Sequence, residues 1–503
     1  MSSKNRHSSI TRIALTFCCL LILSSCSLSS GSNAYLSPIP TGSPTFARSL
    51  TVVPLPTATP PTIADLAARI TQNMTLQEKL GQMTIVEFYG STLNSDLQSM
   101  ILKYHIGGVL IENKNGNAQN RTQLVTLNQG MQKLAPIPLF ISTDFEGGYV
   151  NELVQITGQR ASEQQIGATG NPQVAYNAGR SAASDLTSLG LNVNFMPIVD
   201  VLTNPNNPGL PMRTFGNNPT IVTAMGQAYL KGLTAGGVIG CLKHFPGLGS
   251  ATVDPHLSLP YMNRSLATLN SVDFVPYRTM INEGMVPMVM VTHIMNPQLD
   301  PKLPTSLSPN VVTGLLRDQL HFKGVIISDT LWMGGISNTY PLPQAATLAV
   351  KAGIDLILGP RGLTDTQNML NGLYQAVTTG QISESAINAS VERILELKMQ
   401  YKVIPYSEAL KLARGDVNAE TSTPTTTGMI NHAESRVSVG YADVRRAKPG
   451  QPRGIAPIRY KPVMFVSLHQ SVLARPAMSP ASSVCSLSPV VSSRLCAAPQ
   501  PFS

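Results

Sequence analysis

The 503-residue sequence predicts an α/β protein, a (β/α)8 TIM barrel. Three observations carry that expectation. Eight short, nearly continuous apolar runs recur along the middle of the chain, the pattern of parallel strands covered on both faces. Segments of helical spacing separate most of them, the alternation that builds a parallel sheet. Polar groups gather at the C-terminal ends of five runs, the rim on which barrel active sites are assembled. A doubly wound open sheet is the structural rival.

The elements follow in order. Lys4, Arg6 and Arg12 precede the apolar run Ile13–Leu23, which is short for a bilayer span. Leu23-Ser24-Ser25-Cys26 looks like a bacterial lipobox, so residues 1–26 are expected to be a lipoprotein-type signal, with a lipid at Cys26 as the membrane contact. An ordinary secretory signal or an uncleaved anchor is the alternative. Either places the mature protein outside the cytoplasm. Cys18 and Cys19 leave with the signal, and Cys241, Cys485 and Cys496 then provide no disulfide framework for the main domain.

Residues 27–62, rich in Ser, Pro, Thr and Gly, read as a tether. Folding signals start near Ile63: Ala64–Ile70 is expected to be helical, and Thr75-Leu76-Gln77-Glu78 is a capping box opening a second helix. The candidate strands are Met83–Phe88, Gly107–Ile111, Pro138–Asp144, Val193–Asp200, Val238–His244, Val286–Ile294, Gly324–Asp329 and Ile354–Leu358. Glu392–Tyr401 reads as the closing helix. The catalytic domain is therefore expected at residues 63–405, longer than the usual ~250 residues of this fold, which implies long loops. Residues 406–503 are read as a low-complexity, disordered tail.

A hydrophobic content of 43% suffices for a sizeable core. The net charge of +9 would suit nucleic acid if it were spread over the fold. It is not. Nine Arg and Lys between 434 and 503 face only Glu434 and Asp443, so the basic excess belongs to the tail and no nucleic-acid partner is expected.

The densest chemistry lies in Lys243-His244-Phe245-Pro246-Gly247-Leu248-Gly249 followed by Asp254-Pro255-His256. A carboxylate two residues before an imidazole can orient it and raise its basicity, as proton transfer requires. Apolar Val238–Leu242 places Lys243 and His244 at a strand's C-terminal end. Asp144 ends the third strand in Asp144-Phe145-Glu146-Gly147-Gly148, Arg213 follows the Gly/Pro-shaped loop after the fourth, Thr292-His293 ends the sixth, and Asp329 ends the seventh. Each alone has a plainer use: a strand-end Asp caps a helix, a loop Arg makes a surface ion pair, a strand His satisfies a carbonyl. Convergence on one rim favours the catalytic use. No HExxH or paired-cysteine spacing occurs, so neither a metal nor an organic cofactor is expected.

At these residues the chain resembles glycoside hydrolase family 3, in its single-barrel β-N-acetylhexosaminidase branch, over roughly residues 63–403. The resemblance is carried by DxEGG at 144–148, NPxNP…RxFG ending at Gly216, KHFPGxG with Asp254-x-His256, and Ser-Asp-x-Leu-x-Met at 328–333. It implies Asp329 as nucleophile, His256 as general acid and base, and Asp254 as the residue orienting it. It implies Asp144, Arg213, Lys243 and His244 as the groups that hold the terminal sugar of an amino-sugar oligosaccharide. Departures from the pattern are Tyr149 and Glu152 where arginines are common, Leu248, Pro255 and Thr330. Glu152 replaces a cation with an anion and bears on sugar choice. The alternatives are a β-glucosidase or a phosphorylase of the same family, or an inactive sugar-binding lipoprotein.

Overall fold

The computed structural model describes residues 59–416 and contains the barrel. Its strands are β1 (Thr84–Glu87), β2 (Gly108–Leu110), β3 (Phe140–Thr143), β4 (Phe145–Gly147), β5 (Val150–Asn151), β6 (Val193–Asn194), β7 (Ile239–Phe245), β8 (Met288–Val291), β9 (Val325–Ser328) and β10 (Ile357–Arg361). Eight run parallel in the order β10-β1-β2-β3-β6-β7-β8-β9, while β4 and β5 form an antiparallel hairpin. The last and seventh barrel strands close the ring. Ser328 N–H donates to Leu356 O at 3.0 Å and Leu356 N–H to Ile326 O at 3.0 Å. The open sheet is thereby replaced by a (β/α)8 barrel.

All eight apolar runs contain or overlap a barrel strand, but several ladders are shorter than the runs, and proline explains two of them. Pro197 has no N–H to donate, so the β6 ladder stops at Asn194 and resumes only as a single bridge between Ile198 and Lys243. Pro287 similarly delays β8 to Met288. The last strand is displaced to Ile357–Arg361, reaching further towards the rim than the run Ile354–Leu358 suggested.

Helix starts follow the capping chemistry. Thr75 Oγ1 accepts the Glu78 N–H at 3.3 Å, and Glu78 Oε2 accepts the Thr75 N–H at 2.8 Å, opening the helix Leu76–Gln82. The first helix spans Ile63–Asn73 behind a second such box at Thr62 and Asp65. The helix Glu384–Gln400 takes in the predicted closing helix up to Gln400, with Tyr401 as its cap, and starts eight residues earlier.

The domain boundary at 405 needs correction. A helix, Tyr406–Arg414, follows Pro405, with Ala409 and Leu412 buried. Asn73 Nδ2 donates to Ala413 O at 3.2 Å and Tyr406 Oη to Pro61 O at 2.8 Å. Pro405, at the position before the first helical turn, begins this helix rather than ending order. The signal, Cys26, the tether up to residue 58 and residues 417–503 lie outside the described residues.

Candidate active site

β7 is buried along its whole length and delivers Lys243 and His244 to the C-terminal rim. Lys243 Nζ reaches Asp144 Oδ1 at 2.6 Å and Glu146 Oε1 at 2.7 Å. Glu146 also receives Arg213, through Nε at 2.7 Å and Nη2 at 2.8 Å, the forked geometry that suits a guanidinium. Arg213 Nη1 is held by Gly209 O at 2.7 Å. Burial would raise the Glu146 carboxyl, but Arg213 and Lys243 outweigh it and bring it down to about 2. One carboxylate thus locks both cations in place.

The hairpin explains how. Gly147 (φ 85°) and Gly148 (φ 61°) both occupy the left-handed region, and a Cβ on Gly148 would sit 2.9 Å from Ser162 Cβ. This tight turn points Glu146 inward and leaves Asp144 partly open to the cleft.

His244 is fixed by Asp200, a fully enclosed carboxylate on the segment after β6. Asp200 Oδ2 lies 2.7 Å from His244 Nδ1 and accepts its backbone N–H at 3.2 Å, while Oδ1 accepts the Leu248 N–H at 2.6 Å. With Nδ1 engaged, Nε2 is the ring nitrogen left for a ligand.

Asp329 follows β9 directly. Thr292 Oγ1 donates to its Oδ2 at 2.8 Å and the Thr330 N–H to its Oδ1 at 2.9 Å. Burial pushes this carboxyl up, but His293, His244 and His256 together with the Thr292 hydroxyl hold it below the usual range. It is ionised, nearly buried and fixed in orientation, as a carboxylate nucleophile must be. His293 has the plainer role: Nδ1 lies 2.7 Å from Ser306 Oγ and Nε2 3.1 Å from Thr330 O, and burial lowers its pKa.

The second Asp–His pair stands at the mouth. His256 Nδ1 and its backbone N–H both meet Asp254 Oδ1, at 2.7 and 2.9 Å. The imidazole is 52% exposed, against 7% for His244, so it can exchange protons with water and His244 cannot readily do so. Both rings are oriented alike, but access separates their chemistry.

All seven sequence-predicted residues (Asp144, Arg213, Lys243, His244, Asp254, His256 and Asp329) line one cleft of about 160 Å³. Sequence reasoning does not single out Glu146, Asp200 or the role of Thr292. A signal for Glu146 exists, since it lies in the same short motif as Asp144, but which acid turns inward depends on the hairpin. The same cleft is also lined by Glu112, Lys114, Glu152 and Trp332. Glu152 Oε2 accepts the Asn113 N–H at 2.6 Å, and burial raises its carboxyl. Lys114 Nζ pairs with Glu112 at 2.7 Å and lies 4.8 Å from the Trp332 ring centroid. Burial and the neighbouring Glu87 push Glu112 up to about 8.

The sequence model of the glycosyl hydrolase family 3 N-terminal domain matches residues 75–397, from the second helix through the last barrel helix. The chain belongs to glycosyl hydrolase family 3. Among family 3 proteins it is similar to beta-hexosaminidase A of Pseudoalteromonas piscicida, 34% identical over 348 residues, covering 63% of this chain and 57% of that protein. The chain therefore spans little more than half of that relative. It is also similar to beta-hexosaminidase LpqI of Mycobacterium tuberculosis, 32% identical over 372 residues, covering 71% of this chain and 92% of the relative. A solved family 3 beta-N-acetylglucosaminidase from Paenibacillus sp. str. FPU-7 superposes with a TM-score of 0.62 at 33% identity, covering 68% of each chain.

Proposed function

We propose that this family 3 protein is a retaining exo-glycosidase that releases terminal β-linked N-acetylglucosamine from cell-wall or chitin-type oligosaccharides. The observation that carries the reading is the pairing, in one cleft, of an ionised, oriented Asp329 with a solvent-accessible imidazole on Asp254.

In the first step Asp329 attacks the anomeric carbon. Protonated His256 gives its Nε2 proton to the glycosidic oxygen as that bond breaks. The aglycone leaves as an alcohol and the sugar stays esterified to Asp329. In the second step neutral His256 takes a proton from water, the water oxygen attacks the anomeric carbon, and Asp329 is released as carboxylate. Asp254 holds Nδ1–H throughout and stabilises the imidazolium when it forms. An imidazole thus takes the place of the second carboxyl of the usual two-carboxylate scheme.

Asp144, Arg213, Lys243 and His244 bind the hydroxyls of the terminal sugar in this reading. The similarity to beta-hexosaminidases supports an N-acetyl sugar. The basic and apolar leader ending at Cys26 supports a protein that works outside the cytoplasm, held by a lipid or secreted.

The test is hydrolysis of 4-nitrophenyl N-acetyl-β-glucosaminide beside the β-glucoside. Preference for the N-acetyl sugar, lost by a factor of about 10⁴ or more in Asp329→Ala, is expected. A folded protein silent on both substrates would overturn the assignment and leave a phosphorylase or an inactive sugar binder.

A further inference from the structure

We infer that Gly334 and Gly335 are positioning residues for His256, docking the loop that bears the acid/base onto the segment that bears the nucleophile. The inference rests on the reading of His256 as acid/base given above.

The loop is anchored at both ends. Asn204 Nδ2 donates to Ala251 O at 2.8 Å, and Met262 N–H donates to Met295 O at 2.9 Å. Between those ends, the hydrogen bonds that leave residues 252–259 go to one place. Gly334 N–H donates to His256 O at 3.0 Å and Gly335 N–H to Pro255 O at 3.0 Å. Asn338 Nδ2 donates to Leu257 O at 3.3 Å. Leu257 itself is 75% exposed, so its side chain adds little apolar anchorage.

The contact depends on a missing side chain. A Cβ on Gly334 would stand 2.7 Å from the carbonyl carbon of Leu257 and closer still to its oxygen. A Cβ on Gly335 would stand 3.1 Å from Pro255 O, a distance that a small shift relieves. Gly334 is absent from the left-handed region, so its own backbone accepts alanine. The glycine is needed for approach, not for a turn.

Geometry then links the two catalytic groups. Gly334 lies on the segment that begins at Asp329, and Asp254 accepts two bonds from His256 on the docked loop. Seating the loop on Gly334 fixes His256 against the carbon that Asp329 attacks. Displacing a reacting group by about 1 Å can cost about 100-fold in rate. Both steps use His256, and kcat/KM, which reports the first, should feel this displacement most where the leaving oxygen needs its proton.

The test compares wild type, Gly334→Ala, Gly335→Ala and His256→Ala on aryl N-acetyl-β-glucosaminides of increasingly poor leaving group, with hydrogen exchange of residues 254–259. Gly334→Ala should lose about tenfold or more in kcat/KM on the poorest leaving group and less than about twofold on the best. Its loop should exchange faster while Tm stays near wild type, and Gly335→Ala should fall between. A wild-type leaving-group dependence, an equal loss on every substrate, or unchanged exchange in Gly334→Ala would overturn the inference. If His256→Ala itself loses equally on every substrate, the acid/base reading fails and this inference falls with it. Leaving-group selectivity in His256→Ala but not in Gly334→Ala sinks the docking role alone.

Discussion

Asp144 and Glu146 stand two residues apart in one motif, yet meet different surroundings. Asp144 is partly open to the cleft, whereas Glu146 is enclosed between Lys243 and Arg213. Its carboxyl sits at about 2, below its ordinary 4.5, so its ion pairs support the fold above pH 4.5 and that support is lost as pH falls towards 2. Glu146→Gln strands the buried Arg213 and leaves Lys243 with Asp144 alone, and should cost roughly 3–5 kcal/mol at neutral pH. Unfolding measured at pH 7 and pH 3 should show the gap to wild type narrowing in acid; a pH-independent gap would refute the ion-pair account. The candidate residues legible in the sequence were those at strand ends and in the short motifs of the loops that follow them, because a buried apolar run announces where its rim lies. Glu146 and Asp200 were not legible, because which acid turns inward depends on tertiary partners far away in the chain.

The elements repeat that division. Capping boxes and apolar runs are local, so the early helices and all eight barrel strands could be read directly. Strand ends moved where prolines withhold a donor, and the β4–β5 hairpin was hidden because two- and three-residue strands have too few positions to show a period. The helix Tyr406–Arg414 was hidden because its stability comes from the helix Ile63–Asn73, over 300 positions earlier. A buried lysine marks another element. Lys398, on Glu384–Gln400, donates to Gln82 Oε1 at 2.9 Å, faces the Phe140 ring at 4.9 Å and meets no carboxylate among the described residues. Burial drops its pKa from 10.5 to about 7. Above pH 7 and up to 10.5 the unfolded chain keeps a proton that the folded chain has shed, so this group makes stability rise with pH across that window. Below it, the charged amine costs most. Lys398→Met should therefore stabilise the domain at pH 6 by about 1–4 kcal/mol, and by less near pH 10. Destabilisation of the variant at pH 6 would show that the Gln82 bond outweighs burial.

At the scale of the whole molecule the barrel divides its labour. Its described residues gather ionisable groups at the C-terminal rim, while the basic excess of the chain lies between residues 434 and 503. Two of the cations that line the cleft are already matched, Arg213 by Glu146 and Lys243 by Asp144 and Glu146, while Lys114 leans on Glu112 and the Trp332 ring. Such a surface offers directed donors but little net potential, and mobile ions have little there to screen. KM for a neutral aryl glycoside should stay within about twofold between about 20 and about 500 mM salt. Inorganic phosphate, too, would find Arg213 and Lys243 already paired, which favours water as the acceptor even though an imidazole repels phosphate less than a carboxylate would. Free sugar rather than sugar 1-phosphate should accumulate in phosphate buffer; a salt-sensitive KM with sugar 1-phosphate as product would mean that one of these pairs opens during turnover.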